Sequence, residues 1–198
     1  AESIALMKLS HAVITSVDRD DLPDLGAAHW AQTIREIKRL NPETTTEVLI
    51  PDFQGRKELI DQVIKACPEI ISHNMETVKR ISPQVRSAAN YHTSLEVIRQ
   101  IAESGITAKS GIMVGLGETP AEVEELMDDL ISVGCKILTI GQYLQPTHKH
   151  FPVAAYITPE QFAVYKETGL KKGFEQMESA PLVRSSYHAE KHIRFNNK

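Results

Sequence analysis

The sequence predicts an α/β fold, a partial TIM-type (β/α) barrel, and three observations support it. Short β-branched apolar runs recur along the chain, each a candidate strand buried on both faces as parallel strands are. Amphipathic helix patterns with readable caps lie between them. Polar side chains that a purely structural loop does not need gather after every run. The first two observations would also suit a doubly wound sheet. The third favours the barrel, where strand ends converge on one mouth and such enzymes place their chemistry.

Taken in order, residues 1 to 9 read as a helix already under way, with Ile4, Ala5, Lys8 and Leu9 at helical spacing and neither an initiator Met nor a signal-peptide pattern. A fragment missing its N-terminal part is therefore expected. His11 to Val17 is the first strand run, whose end carries Thr15, Ser16, Asp18, Arg19, Asp20 and Asp21. A helix at 27 to 40 leads to the run Thr46 to Pro51, with Asp52 and Gln54 at its end, and then to a helix at 56 to 66. Ile70 to His73 is the third run, closing on His73, Asn74, Glu76 and Thr77. A helix at 93 to 104 precedes Ile112 to Gly115, after which comes Glu118; Lys109 falls just ahead of this run.

Thr119-Pro120-Ala121-Glu122 supplies a capping hydroxyl, a first-turn proline and a reciprocal carboxylate ahead of Val123, Leu126, Met127, Leu130 and Ile131, which share one helix face. Ile137 to Tyr143 is the fifth run, with Gln142, Tyr143 and Gln145 at its end. Thr158-Pro159-Glu160-Gln161 repeats the capping device before Phe162, Val164 and Tyr165. Pro181-Leu182-Val183 suits a last strand, with Arg184, Ser185, Ser186 and Tyr187 as its solvated exit. No linker or low-complexity segment interrupts the pattern, so residues 1 to 198 are read as one domain whose last part, 174 to 198, carries this polar run.

Composition bounds the function. With 22 Lys and Arg against 26 Asp and Glu the net charge is −4, which gives no electrostatic case for nucleic acid or an anionic membrane surface. No apolar run approaches the ~20 residues of a membrane span. Cys67 and Cys135 form no C-x-x-C, cannot by themselves hold a metal cluster, and read as buried thiols of a cytosolic protein.

Three motifs carry chemistry, each with a plainer alternative. In SGIMVGLGET, Gly115 and Gly117 stand between a strand and a capped helix, where backbone either approaches a ligand closely or turns with positive φ; the third glycine of a dinucleotide fingerprint is absent. In HNMET, Asn74 and Glu76 point the same way on an extended chain and suit a ribose diol, although Asn74 or Thr77 could equally cap a helix. In THKHF, His148 and His150 could form a metal pair or simply be solvated, and Trp30 reads as packing.

The stretches AVITSVDRDDLPD, EVLIPDFQG, HNMETV, YHTSLEVI, TAKSGIMVGLGET, LTIGQYLQPT and PLVRSSYHA, in order along the whole chain, resemble the lipoyl synthases of the radical S-adenosylmethionine (SAM) superfamily. The resemblance implies a radical SAM-type partial barrel with its first strand missing from this chain, and a cytoplasmic sulfurtransferase. Such an enzyme cleaves SAM at one [4Fe-4S] cluster. The 5′-deoxyadenosyl radical then abstracts hydrogens from carbons six and eight of a protein-bound octanoyl group, and a second, auxiliary [4Fe-4S] cluster donates the sulfur.

The implied partners are octanoylated lipoyl carrier domains, namely 2-oxoacid dehydrogenase acyltransferase subunits and the glycine cleavage H protein, and an electron donor such as flavodoxin or ferredoxin. On residues, the resemblance implies SAM contacts at Ser16, Asn74, Glu76, Lys109, Gly115, Gly117, Gln142 and Tyr143, all lining one cavity. It places Ser186, or else its neighbour Ser185, as oxygen ligand of the auxiliary cluster, and Arg184 and Tyr187 as the residues that position or cover it.

Two departures stand out. The cysteine motifs of the family lie upstream of the helix with which this sequence begins, so the 198 residues alone are expected to bind neither cluster and, with an edge strand exposed, to dimerise or aggregate. Leu25 occupies a turn position where the family more usually has glycine, which bears on the shape of that turn. Competing readings are a non-catalytic SAM- or carrier-binding remnant and another barrel lyase, which would need a Schiff-base lysine or a metal site at a strand end.

Overall fold

A computed structural model describes residues 1–86, 90–187 and 189. Among these described residues six parallel strands form one sheet: β1 (His11–Thr15), β2 (Thr45–Leu49), β3 (Ile70–Ser72), β4 (Thr107–Val114), β5 (Ile137–Gln142) and β6 (Gln176–Ser179), neighbours in the sheet in that same order. A doubly wound sheet reverses its strand order at a switch point. No reversal occurs here, so the sheet is the partial barrel, with β1 and β6 as its edges.

The helices lie between the strands: α1 (Glu2–Met7) ahead of β1, α2 (Ala27–Leu40), α3 (Lys57–Ile64), the short α4 (Ser82–Val85), α5 (Tyr91–Glu103), α6 (Pro120–Ser132) and α7 (Pro159–Lys172). Their starts follow local chemistry. Asn90 Oδ1 accepts from the N–H groups of His92 and Thr93 to begin α5. Thr119 and Glu122 form the expected reciprocal box on α6, and Thr158 caps α7, which runs to a left-handed Gly173.

Alternate strand residues part to opposite faces. Val48, Ile71, Ile112, Leu138 and Ile140 join Ile34, Leu59, Ile98, Leu126 and Phe162 of the helices in one core. The concave face is different. It carries Glu47, Ser72, Lys109, Gly111, Thr139 and Gly141, all buried and polar or small.

Three expectations are corrected. The last strand is Gln176–Ser179, and Pro181 to Val183 form a turn whose Pro181 carbonyl accepts from Gln142 N at 3.2 Å; a polar, four-residue edge strand escapes an apolar-run criterion. β4 begins at Thr107, so Lys109 lies inside the strand rather than ahead of it, because Ala108 and Ser110 pack on the helix side while Lys109 faces Glu47. Neither Asn74 nor Thr77 caps a helix: Glu76 instead extends the third strand by a parallel bridge to Ile112. Leu25 adopts φ 51° in the turn before α2, the left-handed conformation that glycine favours, while its side chain is buried.

Candidate functional site

Above the C-terminal ends of β1, β2 and β3 lies a hollow of about 580 Å³ whose polar lining includes Ser16, Asp18, Asp20, Asp52, Asn74, Glu76 and Arg86. A smaller one of about 110 Å³ adjoins it over β4 and β5, sharing Asn74 and Glu76 and adding Gly111, Thr139, Gln142, Arg184 and Ser185. Asn74 and Glu76 therefore stand at the centre of the mouth.

Asn74 Oδ1 is buried and has no partner among the described residues. Room for this side chain comes from Gly111, where a Cβ would stand 2.9 Å from Asn74 Oδ1 and 2.7 Å from Thr139 Oγ1. Glu76 is held at φ 65°, a costly conformation for a side-chain-bearing residue, by its N–H to Gly111 O at 3.1 Å and its carbonyl to Met113 N at 2.8 Å. Burial pushes its carboxyl pKa up, against the opposing pull of Asn74 and Arg86. Burial likewise raises Asp18, reinforced by Asp20 and Asp52. Arg86 donates to Ser94 Oγ at 3.0 Å and Met75 O at 3.3 Å; burial lowers its pKa, and Glu76, Asp52 and Asp18 oppose that shift.

Other strand-end residues serve the frame. His73 is a buried strut, Nδ1 at 3.0 Å from Ile50 O and Nε2 at 2.9 Å from Ser94 Oγ, and burial depresses its pKa to about 4, so the ring is neutral. Glu118 folds back onto the glycine loop and accepts from Gly115 N at 2.6 Å and Leu116 N at 2.9 Å. Gly115 and Gly117 turn at φ 100° and 101°, and the two N–H groups that could cradle an anion are already filled by that carboxylate.

Gln142 braces the loop that leads to α7, donating to Tyr143 O and Ala155 O and accepting from Ile157 N at 2.9 Å. Tyr143 holds the same loop through Phe151 O at 2.7 Å. Of the residues expected to line one cavity, the mouth thus brings together Ser16, Asn74, Glu76 and Gln142. Gly115, Gly117 and Tyr143 lie in the adjoining loop framework and line neither hollow.

Lys109 also lines neither. Its ammonium is buried under the mouth, 2.7 Å from Glu47 Oε1 and 2.6 Å from Ser185 O. Sequence reasoning missed two residues of the site, Glu47 beneath the mouth and Arg86 in the larger hollow. Glu47 was signalled by a lone carboxylate inside an apolar run; Arg86, at the end of the short α4, carried no periodic signal.

At the rim, Arg184 and Ser185 face the smaller hollow, while Ser186 and Tyr187 are exposed; His188 of the RSSYHA stretch and most of the following chain lie outside the described residues. Ser186 follows the lining residue Ser185, lines neither hollow, and its hydroxyl is engaged by no other described residue. Cys135 is buried against Ala108 O and Ile137 O with its pKa pushed up to about 12, whereas Cys67, also expected to be buried, is exposed. Among the described residues no group of three or more His, Cys, Asp or Glu side chains could hold a metal ion, and His148 and His150 are exposed. No helix among them is long and apolar enough to cross a membrane.

Residues 1–130 match the profile of the Radical SAM superfamily. The chain is 99% identical over all 198 residues to "Lipoyl synthase" of Bacteroides fragilis, spanning 69% of that protein. It is 81% identical to "Lipoyl synthase" of Phocaeicola vulgatus over 98% of the chain and 69% of the relative. To "Lipoyl synthase, mitochondrial" of Nematostella vectensis it is 57% identical, over 98% of the chain and 67% of the relative. Among solved structures, a domain of pyruvate-formate lyase-activating enzyme from Bacteroides vulgatus superposes with TM-score 0.59 at 15% identity, over 84% of this chain and 98% of that one. Methylornithine synthase (PylB) gives 0.62 at 9% identity, over 90% and 61%. These two speak for the fold alone.

Proposed function

Because the chain belongs to the lipoyl synthase family of the radical SAM superfamily, we propose that the paired hollows are its SAM site and that the Ser185–Ser186 edge serves the auxiliary cluster. The activity is that of a radical SAM sulfurtransferase, which inserts sulfur at two carbons of a protein-bound octanoyl group. When bound, SAM and the two [4Fe-4S] clusters supply the hydrogen abstraction and the sulfur. What this chain contributes is binding, orientation and exclusion of water.

Four carboxyl side chains, Asp18, Asp20, Asp52 and Glu76, face one guanidinium, Arg86, in the larger hollow. An excess of carboxyl groups suits a sulfonium cation, and Asn74 with Glu76 offers hydrogen bonds to a ribose diol. The observation that carries this reading is the buried Asn74 Oδ1, unpartnered among the described residues, since such an atom costs about 1–3 kcal/mol unless a ligand satisfies it. Ser16 stands at the open end of the hollow, its hydroxyl turned to Val17 O at 2.9 Å in this state.

In this reading Ser186 is the oxygen ligand. A hydroxyl is a harder and more labile partner for iron than thiolate, as a cluster that gives up sulfur requires. Arg184 and Tyr187 would position or cover the cluster.

The substrate is an octanoyl group carried by a lipoyl domain. Acyltransferase subunits and the glycine cleavage H protein are the proposed carriers, with a flavodoxin or ferredoxin as reductant. Leu144, Tyr156, Leu182 and Tyr187 give an exposed apolar contribution beyond β5 and β6 that suits an acyl-bearing surface. A cytoplasmic location accords with two unbridged thiols.

Isothermal titration of full-length protein with SAM tests the cofactor site. Asn74→Ala is expected to weaken binding by about 10-fold, roughly 1.4 kcal/mol, at unchanged thermal stability. Wild-type affinity in that variant would remove Asn74 from the site.

A further inference from the structure

Beneath the mouth, the concave face of the sheet buries an ion pair that no part of the proposed SAM site uses. Lys109 Nζ and Glu47 Oε1 are 2.7 Å apart, neither side chain having exposed surface, and His11 Nε2 stands 3.9 Å from the other Glu47 oxygen. Desolvating two charges offsets most of their attraction, so such a pair is weak evidence of stability for its own sake. What it touches is informative. The Lys109 ammonium donates to the backbone carbonyl of Ser185 at 2.6 Å.

A second, independent feature grips the same segment. Gly141 of β5 lies under the Val183 carbonyl, and a Cβ there would collide with that oxygen. Its neighbour Gln142 donates its N–H to Pro181 O at 3.2 Å. β4 and β5 therefore hold residues 181 to 185 by backbone atoms, which leaves the Arg184 and Ser185 side chains at the smaller hollow and Ser186 at its rim.

We propose that Lys109, balanced by Glu47, is a positioning residue that seats the Arg184–Ser185–Ser186 segment at the mouth through the Ser185 carbonyl. The functional weight of this seat rests on the reading of Ser186 as a ligand; its existence does not. Burial pulls the Lys109 pKa down and Glu47, 2.7 Å away, opposes that shift; a charged donor makes the shorter and stronger bond to a carbonyl.

The test is hydrogen exchange on the full-length protein carrying both clusters. Lys109→Met/Glu47→Leu removes both charges together, so that neither is stranded. Gly141→Ala leaves the ion pair in place and intrudes on the Val183 carbonyl. In both variants the amides of residues 183 to 187 are expected to exchange about 10-fold faster or more while those of α5 and α6 keep their protection. The Mössbauer spectrum of the auxiliary cluster should move as it does in Ser186→Ala.

Unchanged exchange at 183 to 187 in the folded double variant overturns the proposal, as does an equal rise across all helices. If that variant does not fold, Lys109→Met/Glu47→Gln, which keeps a polar group at position 47, is read by the same criterion. Undiminished lipoyl product from Ser186→Ala would instead overturn the ligand reading and leave the exchange result, and so the seat, as measured.

Discussion

Leu25 and His73 show how single residues are held against their own preferences. Leu25 sits at φ 51°, which costs a side-chain-bearing residue about 1–2 kcal/mol, while burying a leucine returns about 1.5–3 kcal/mol. Burial wins. Leu25→Gly is therefore expected to lower stability by roughly 1 kcal/mol in urea denaturation, even though glycine suits the backbone better. A stability gain would mean that strain outweighs burial there.

His73 has its pKa depressed from 6.5 to about 4 by burial, so the unfolded chain takes up a proton below pH 6.5 that the folded chain refuses until about pH 4. Its contribution is complete above pH 6.5 and is lost as pH falls through that window. The total is roughly 3 kcal/mol, with about 2 kcal/mol gone by pH 5. Denaturation midpoints at pH 7.5 and pH 5 should show this difference in wild type and a smaller one in His73→Gln.

At the scale of elements, the loop from Gly115 to Thr119 is a self-contained clamp rather than an open cradle. Two N–H groups are closed by Glu118, and the next helix starts on the Thr119–Glu122 box, where Arg80 and the Thr119 N–H hold the Glu122 carboxyl down to about 2. Glu118→Ala is expected to cost about 1–2 kcal/mol, the price of leaving two backbone donors without their carboxylate. Proteolysis between β4 and α6 should quicken in that variant while SAM affinity changes little.

The elements legible in the sequence are those whose physics is local. Capping threonines and prolines marked α6 and α7, and β-branched runs marked β1, β2, β3 and β5. The first half of β4 and all of β6 were hidden, because Lys109 gains its strand character from Ser72 and Ile137, and the QMES tetrapeptide from β5, all distant in sequence. The same non-local logic put Lys109 under the mouth instead of on it. Asn74 and Glu76 were legible as a pair, but the left-handed backbone that aims Glu76 depends on its bridge to Ile112. Arg86 reached the site from a four-residue helix that no periodicity announces.

Across the whole molecule, Ser16 lines the larger hollow from the end of β1, and Arg184 and Ser185, beyond β6, line the smaller one, with Ser186 next along the chain. If Ser186 ligates the sulfur-donating cluster, Ser186→Ala in the full-length enzyme should keep 5′-deoxyadenosine formation near wild type and cut lipoyl product at least about 10-fold. Both products can be measured in one reaction. Near-normal yields of both would reduce Ser186 to a rim residue.

The sheet in which every strand lies beside its predecessor also bears on biosynthesis. Each strand leaving the ribosome finds its template already in place, so the sheet can extend in the order of translation. Lys109 and Gly141 are both made before the Ser185 carbonyl and the Val183 carbonyl that they receive. The receptacle is thus finished before its occupant is synthesised, and the Arg184–Ser186 segment can be seated only once residues 181 to 185 have emerged.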